Sequence, residues 1–437
     1  MSAPARVATI EHGICDGTGT RQPLSGDGVR TLYSNITDEN ADSIHTIILK
    51  GWTWCTEGAE IFVQSILPRL PSLHTIDASD IIAGRPESEG LRIMSILADG
   101  VVNHGKIIHV YWCDNAVGPK GVQAMASLFQ ASTRIQTLAL QNCGISGEAA
   151  ETIAEYLLAD EITALRTLLL HNNMAGEKGA QAIARVIAAS PELEHIQFAS
   201  CRMTRAGGVA LVAAMEGLTT LRHIDIHDAM GGEETTEKLI EVLPTLPALC
   251  QLNIGDIGMG NDGLEAFVPA LLAAPAATQL TELHLGGNDL AEQPAGEAIA
   301  QLLVGLPKLQ ALYLQDNELA SAATRWIAAG LLARAGGSAA EADPDTPGMQ
   351  VIDLSTNYVY SGAMRDLLRA AQTAGVKRVR CDGNYMTDDV VQWGVEAGLI
   401  QGELEENDEE EAMDEADNAD DADMDAVDVL AASLAAE

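Results

Sequence analysis

Aromatic side chains make up only 4% of this 437-residue sequence, and 25 Lys and Arg stand against 63 Asp and Glu. Nucleic-acid affinity rests on clustered cations that displace counterions from phosphates, so this shortage argues against DNA or RNA as a partner. No uninterrupted apolar run reaches the ~18 residues of a membrane-crossing helix. The N-terminus also lacks the basic start and apolar stretch of a secretory signal, so a soluble intracellular protein without direct membrane insertion is expected. Seven cysteines follow no framework spacing and include no CxxC pair, so neither a disulfide scaffold nor a metal site is expected. The sequence lacks a GxxxxGKS phosphate loop, an HExxH pair and a GxSxG elbow, which argues against nucleotide binding and against catalysis of its own.

What is present is a repeat. An apolar residue, two variable positions, apolar-x-apolar, two more positions and then Asn, Cys or a small apolar residue recur along most of the chain. Clear copies are LRTLLLHNN (165–173), LTELHLGGN (280–288), LQALYLQDN (309–317) and MQVIDLSTN (349–357); IHTIILKGW (44–52) is a degenerate early copy. Starts are mostly 27 to 31 residues apart, with longer steps after 73 and after 309. The apolar-x-apolar core reads as a short strand with alternate side chains inside and out. The terminal Asn or Cys reads as turning inward to satisfy backbone groups freed at the turn. Between strands lie helical phrases such as GEKGAQAIARVIAAS (176–190), rich in Ala at helical spacing.

No single coil buries its own apolar face, so stacking is obligatory, and a helix bulkier than the strand opposite bends the stack. The fold class that follows is an α/β solenoid: a leucine-rich-repeat horseshoe with an inner parallel β-sheet and outer helices, about 11–12 repeats long, then a disordered acidic tail. Residues 1–43 are expected to cap the first coil, 44–402 to form the repeat domain, and 403–437 to be the tail. That tail holds fifteen Asp or Glu and no Lys or Arg between 403 and 428, a composition that cannot bury a core. At its end Val427, Val429, Leu430 and Leu434 have helical spacing, which fits either a docking or export-type motif or a helical stub. ARAGGSAAEADPDTPG (333–348) reads as a surface loop inserted in one repeat.

Periodicity does not select a partner, because one scaffold serves many binding proteins. Three segments leaving successive strands carry more information: SDIIAGR (79–85), DNAVGPKGVQ (114–123) and LQNCG (140–144). In order and spacing they resemble the strand-exit loops of the Ran GTPase-activating protein family, and the repeat type and acidic tail are similar too. The resemblance implies a protein that is not itself an enzyme but accelerates GTP hydrolysis by a Ran-type small GTPase in its GTP form, with or without a Ran-binding protein. Mg and GTP would be carried by that partner, and the protein itself would need no cofactor. It implies a protein of the cytoplasm, or of the cytoplasmic face of the nuclear envelope, that supports nucleocytoplasmic transport by orienting the GTPase's own glutamine without an arginine finger; a monomer is expected only because solenoids with capped ends are commonly monomeric.

Carried over residue by residue, Asn142 and Arg85 become the catalytic candidates. Asp80, Asp114, Asn115, Lys120, His171 and Asn172 become the partner-binding ones, although Asn115 and Asn173 also fit the inward ladder position. Where the family tends to have a second basic residue two positions after the loop arginine, this chain has Glu87, and Lys120 is the residue placed to compensate. The competing expectations are a non-catalytic binding scaffold or inhibitor using a concave acidic face, and a structural subunit of a larger complex.

Overall fold

The computed structural model describes residues 6–8, 23–291, 293–338, 347–401 and 424–435. The chain divides into two units, Met1–Met215 and Glu216–Glu437. Each is an α/β solenoid of leucine-rich repeats.

In the first unit the strands Ile44–Ile48, Thr75–Asp77, His109–Tyr111, Thr137–Ala139, Thr167–Leu169 and His195–Gln197 pair in parallel, in sequence order. The register sets Ile47, Ile76, Val110, Leu138, Leu168 and Ile196 opposite one another, all buried. Each such side chain contributes about 1.5–3 kcal/mol, and every coil repeats the contribution. The residues on either side of them in most strands are half-exposed, as period-2 alternation requires.

The first 43 residues contribute elements like those of a repeat. Arg6–Ala8 pairs in parallel with Ile44–Ile48, and the helix Gly26–Leu32 is capped by Ser25, whose hydroxyl accepts from Gly28 N at 3.2 Å. Residues 9–22 lie outside the described part.

In the second unit the strands His223–Asp225, Gln251–Asn253, Glu282–His284, Ala311–Tyr313, Val351–Asp353 and Arg378–Arg380 repeat the arrangement. Small residues let the helices approach closely. A Cβ added to Gly296 would lie 2.4 Å from Ala323 Cα, so the helices Gln293–Gly305 and Ser321–Ser338 meet backbone to backbone.

The inward ladder takes the same form in both units. Asn173 donates from Nδ2 to the carbonyls of Leu140 (2.9 Å) and Leu170 (2.7 Å), while its Oδ1 accepts from the backbone N–H of Cys143 (3.1 Å) and Ile145 (3.0 Å). Asn288 does the same with Ile254, Leu285, Ile257 and Met259. One amide thus pairs four backbone groups that would otherwise be buried without partners.

Two expectations change. The longer steps are taken up largely by longer helices: Glu87–His104 after the first, and Ser321–Ser338 after the second. The loop expected from residue 333 is therefore still helix as far as 338, and 339–346 lie outside the described residues. At the other end, 403–437 is not one disordered segment, because Met424–Leu434 is a helix with Val427, Ala431 and Leu434 buried. It packs on Ser321–Ser338. An apolar stripe at helical spacing finds order once a long, Ala-rich helix offers it a seat. Residues 402–423, most of the acidic run, lie outside the described part. Among the described residues no helix is long and apolar enough to cross a membrane.

Candidate functional site

From Ile44–Ile48 onward, the described repeat strands end in turns whose residue before the ladder position adopts left-handed backbone, a glycine such as Gly51 in some. The non-glycine residues at this position in the first unit are Asp80 (φ 51°), Asp114 (58°), Asn142 (52°), Asn172 (55°) and Ser200 (51°). Side chains with a Cβ rarely sit there, and Asn and Asp tolerate it best because their short polar groups bond locally. The turn orients each of them outward while the next residue goes in. Asn142 and Asp114 are exposed, whereas their neighbours Cys143 and Asn115 are buried. The backbone N–H groups of Asp80, Asp114, Asn142 and Asn172 donate to the carbonyls of Cys113, Gln141, His171 and Ala199 in the following coil, at 2.9–3.0 Å. Their side chains therefore share one edge.

Part of that edge, from Asp114 to Asn172, is hydrogen-bonded side chain to side chain. Asn172 Nδ2 donates to Asn142 Oδ1 (3.3 Å), and Asn142 Nδ2 donates to Asp114 Oδ1 (3.1 Å). Lys50 Nζ lies 3.5 Å from Asp114 Oδ2. Beneath Asn142, Cys143 Sγ donates to the carbonyls of Trp112 (3.1 Å) and Gln141 (3.3 Å). Burial pushes its thiol up to about 12, so it is an anchor rather than a nucleophile. After the turn, Gly144 (φ 64°) reverses the chain, and Ser146 caps the helix Gly147–Leu157 by accepting from Ala149 N at 3.3 Å.

Beside this edge lies a cleft of about 700 Å³ between the exit loops of two coils, lined by Ile82, Arg85, Glu87, Asp114, Val117 and Lys120 among others. Arg85 is half-buried, with Nη1 3.5 Å from Glu89 Oε2 and Nε lacking a partner. Its reach is limited by that tether, which suits bracing or a fixed contact better than insertion into another protein's active site. Lys120 pairs with Glu87 across the cleft. The position where a second cation was expected thus has a cation brought to it by the next coil.

Asp80, Asp114, Asn142, Asn172, Arg85 and Lys120 are brought to one rim of the first unit, with His171 half-buried just inside it. Asn115 is not a rim residue. It is 2% exposed, its Nδ2 bonding the carbonyls of Ala78 and Cys113 at 3.0 Å and its Oδ1 accepting from Ile81 N at 3.1 Å. A buried ladder amide has no surface to offer a partner, so its placement among the binding residues is corrected. Lys50 was missed. Its copy of the repeat, IHTIILKGW, lacks the Asn or Cys that marks the exit turn, so nothing local flagged it.

The stacked strands, the Asn and Cys ladder and the helical returns define the class: an α/β solenoid of leucine-rich repeats. No family model matches the chain. It is 24% identical to the ribonuclease inhibitor of Sus scrofa over 62% of this chain and 57% of that one. More particularly, it is 30% identical to RAN GTPase-activating protein 1 of Arabidopsis thaliana over 28% of this chain and 22% of that one. With RAN GTPase-activating protein 2 of the same plant the identity is 37%, over 18% and 15%. The matched stretches thus span well under two thirds of these relatives.

Proposed function

We propose that this protein activates a Ran-type small GTPase, stimulating hydrolysis of the GTP that the partner carries. The observation that carries the reading is Asn142: an exposed amide on a left-handed turn, held by its neighbours on a rim whose loops resemble those of the activators. GTPases hydrolyse slowly because the attacking water and the glutamine that orients it are poorly held. A carboxamide offers donors and an acceptor together, so Asn142 suits the task of fixing that glutamine while water attacks the γ-phosphorus and the bond to the β-phosphate oxygen breaks. Magnesium and GTP belong to the partner. In this reading Arg85 and Lys120 line the cleft that receives the partner's surface loops, and neither acts as a finger. The setting would be the cytoplasm, including the cytoplasmic face of the nuclear envelope.

Single-turnover hydrolysis by GTP-loaded Ran tests this. Catalytic amounts of the protein should accelerate it strongly, and Asn142→Ala should lose about 100-fold or more. Because Ala is strained at φ 52°, Asn142→Gly, which relaxes the turn and also removes the amide, should lose as much. No acceleration by the parent protein would end the proposal.

A second reading is a binding scaffold in the manner of the ribonuclease inhibitor. The row of Asp228, Asp256 and Asp316 on the strand exits of the second unit favours it, since acidic rims complement basic partners. It predicts binding without acceleration.

A further inference from the structure

We propose that Asn172 and Asp114 are positioning residues that fix the orientation of the Asn142 carboxamide, with Lys50 holding Asp114. The inference rests on the activator reading and goes beyond it in saying how a solvent-exposed side chain is made to hold one orientation. An amide can turn over about its terminal bond, exchanging oxygen for nitrogen at little cost in free solution, and only its partners distinguish the two states. Here Asn142 has a partner on each side, and one of them is a carboxylate that can only accept. Asp114 carries a carboxylate that only accepts, so it requires the NH2 group of Asn142 on its side, at 3.1 Å. On the other side Asn172 Nδ2 donates to the oxygen of Asn142 at 3.3 Å; being an amide itself, it adapts to the state that Asp114 selects and then holds it. The flipped amide would set its oxygen against the carboxylate, a contact that no rearrangement of Asn172 relieves.

The two contacts come from different coils, and the separation of those coils is fixed by the strand pairing of Thr137–Ala139 with its neighbours on each side. The buried column therefore sets the spacing of an exposed trio. Lys50 completes the chain. Its Nζ is 3.5 Å from Asp114 Oδ2, on the oxygen that Asn142 does not use, so the carboxylate keeps Oδ1 turned towards Asn142. Asn142 spends one N–H on Asp114 and one lone pair on Asn172. One N–H and one lone pair then remain, on known sides, for a ligand that needs both a donor and an acceptor. Preorganisation of this kind acts on the stimulated rate more than on affinity, because the amide it orients acts on the partner's glutamine during hydrolysis.

The test uses the full-length protein with variants that tolerate the left-handed turn. Asn172→Gly removes the donor to Oδ1 and should lower the stimulated rate at saturating activator about tenfold, the value of one net hydrogen bond. Asn172→Asp is nearly isosteric but presents a carboxylate, which pulls the NH2 of Asn142 towards itself and away from Asp114. It should cost more than the glycine variant, whereas a purely structural role would make the isostere the milder change. Lys50→Met should cost about threefold and Lys50→Arg should restore most of it. In all of these the fall in stimulated rate should exceed any change in the concentration giving half-maximal stimulation. If both Asn172 variants stimulate as the parent does, or only their half-maximal concentration shifts, Asn172 does not position Asn142 and the inference fails while the activator reading stands. If the parent does not stimulate at all, both fall together.

Discussion

The strand exits of the two units share a backbone and differ in chemistry. In the first unit the left-handed positions run Asp80, Asp114, Asn142, Asn172, Ser200; in the second they include Asp228, Asp256, Asp316 and Thr356, with nearly the same φ. Placing an amide next to a carboxylate turns repulsion into a hydrogen bond, as Asn142 and Asp114 show at 3.1 Å. At Asp256 in the second unit, where carboxylates crowd a partly buried carboxyl, the cost is visible. The carboxyl of Asp256 is held above its ordinary value by partial burial and by Asp228, Asp316 and Asp289, against the opposing pull of His227. The turn is therefore a neutral socket. Whether Asn142 binds or repels its neighbour Asp114 is decided by one atom, nitrogen or oxygen, in its side chain.

The largest expected effect comes from making the first rim like the second. Asn142→Asp sets a carboxylate against Asp114 with the backbone unchanged, and the stimulated hydrolysis rate should fall about 100-fold in single-turnover assays while the circular dichroism spectrum and melting midpoint stay close to the parent's. A retained rate would break the contrast, since charge at the exit would then be irrelevant.

Next comes a feature that the units share. Asn173→Ala and Asn317→Ala should each cost about 2–3 kcal/mol in urea unfolding, because each leaves backbone groups buried without partners. A loss confined to one unit would show that the ladder is not equivalent in the two.

The smallest effect is the reverse exchange. Asp256→Asn should leave stimulation unchanged and raise stability at pH 7 by about 0.5 kcal/mol, allowing for solvent screening. The sign follows from linkage. A carboxyl whose folded value is raised penalises the folded state when ionised, so the advantage of Asn is full at neutral pH and shrinks as pH falls through that raised value. Melting curves at pH 7 and pH 4 check it, and an advantage that grew on acidification would contradict the assigned cause.

Much of this was legible because the chain states the same thing many times. A single LRTLLLHNN is ambiguous, but stacked copies fix strand, inward ladder and helix together, as the aligned column from Ile47 to Ile196 bears out. The outward exit residue could be read as the Asp or Asn just before the ladder position. Three things could not be read. Asn115 satisfied both the motif of the rim and the motif of the ladder, and only its four backbone partners separate them. Lys50 acts on Asp114 from a coil whose exit signal is degenerate, a contact no local pattern encodes. The helix Met424–Leu434 is too short to persist alone, and its order depends on a seat more than eighty residues earlier.

The left-handed turn has one more consequence. It admits few residue types, and those it admits are short, so the rim is written in a small alphabet with its letters at the strand spacing of about 4.8 Å. Such an edge works as a ruler. A partner is recognised by whether its own groups fall on the graduations, and a change of one letter alters the reading at that mark without moving any other.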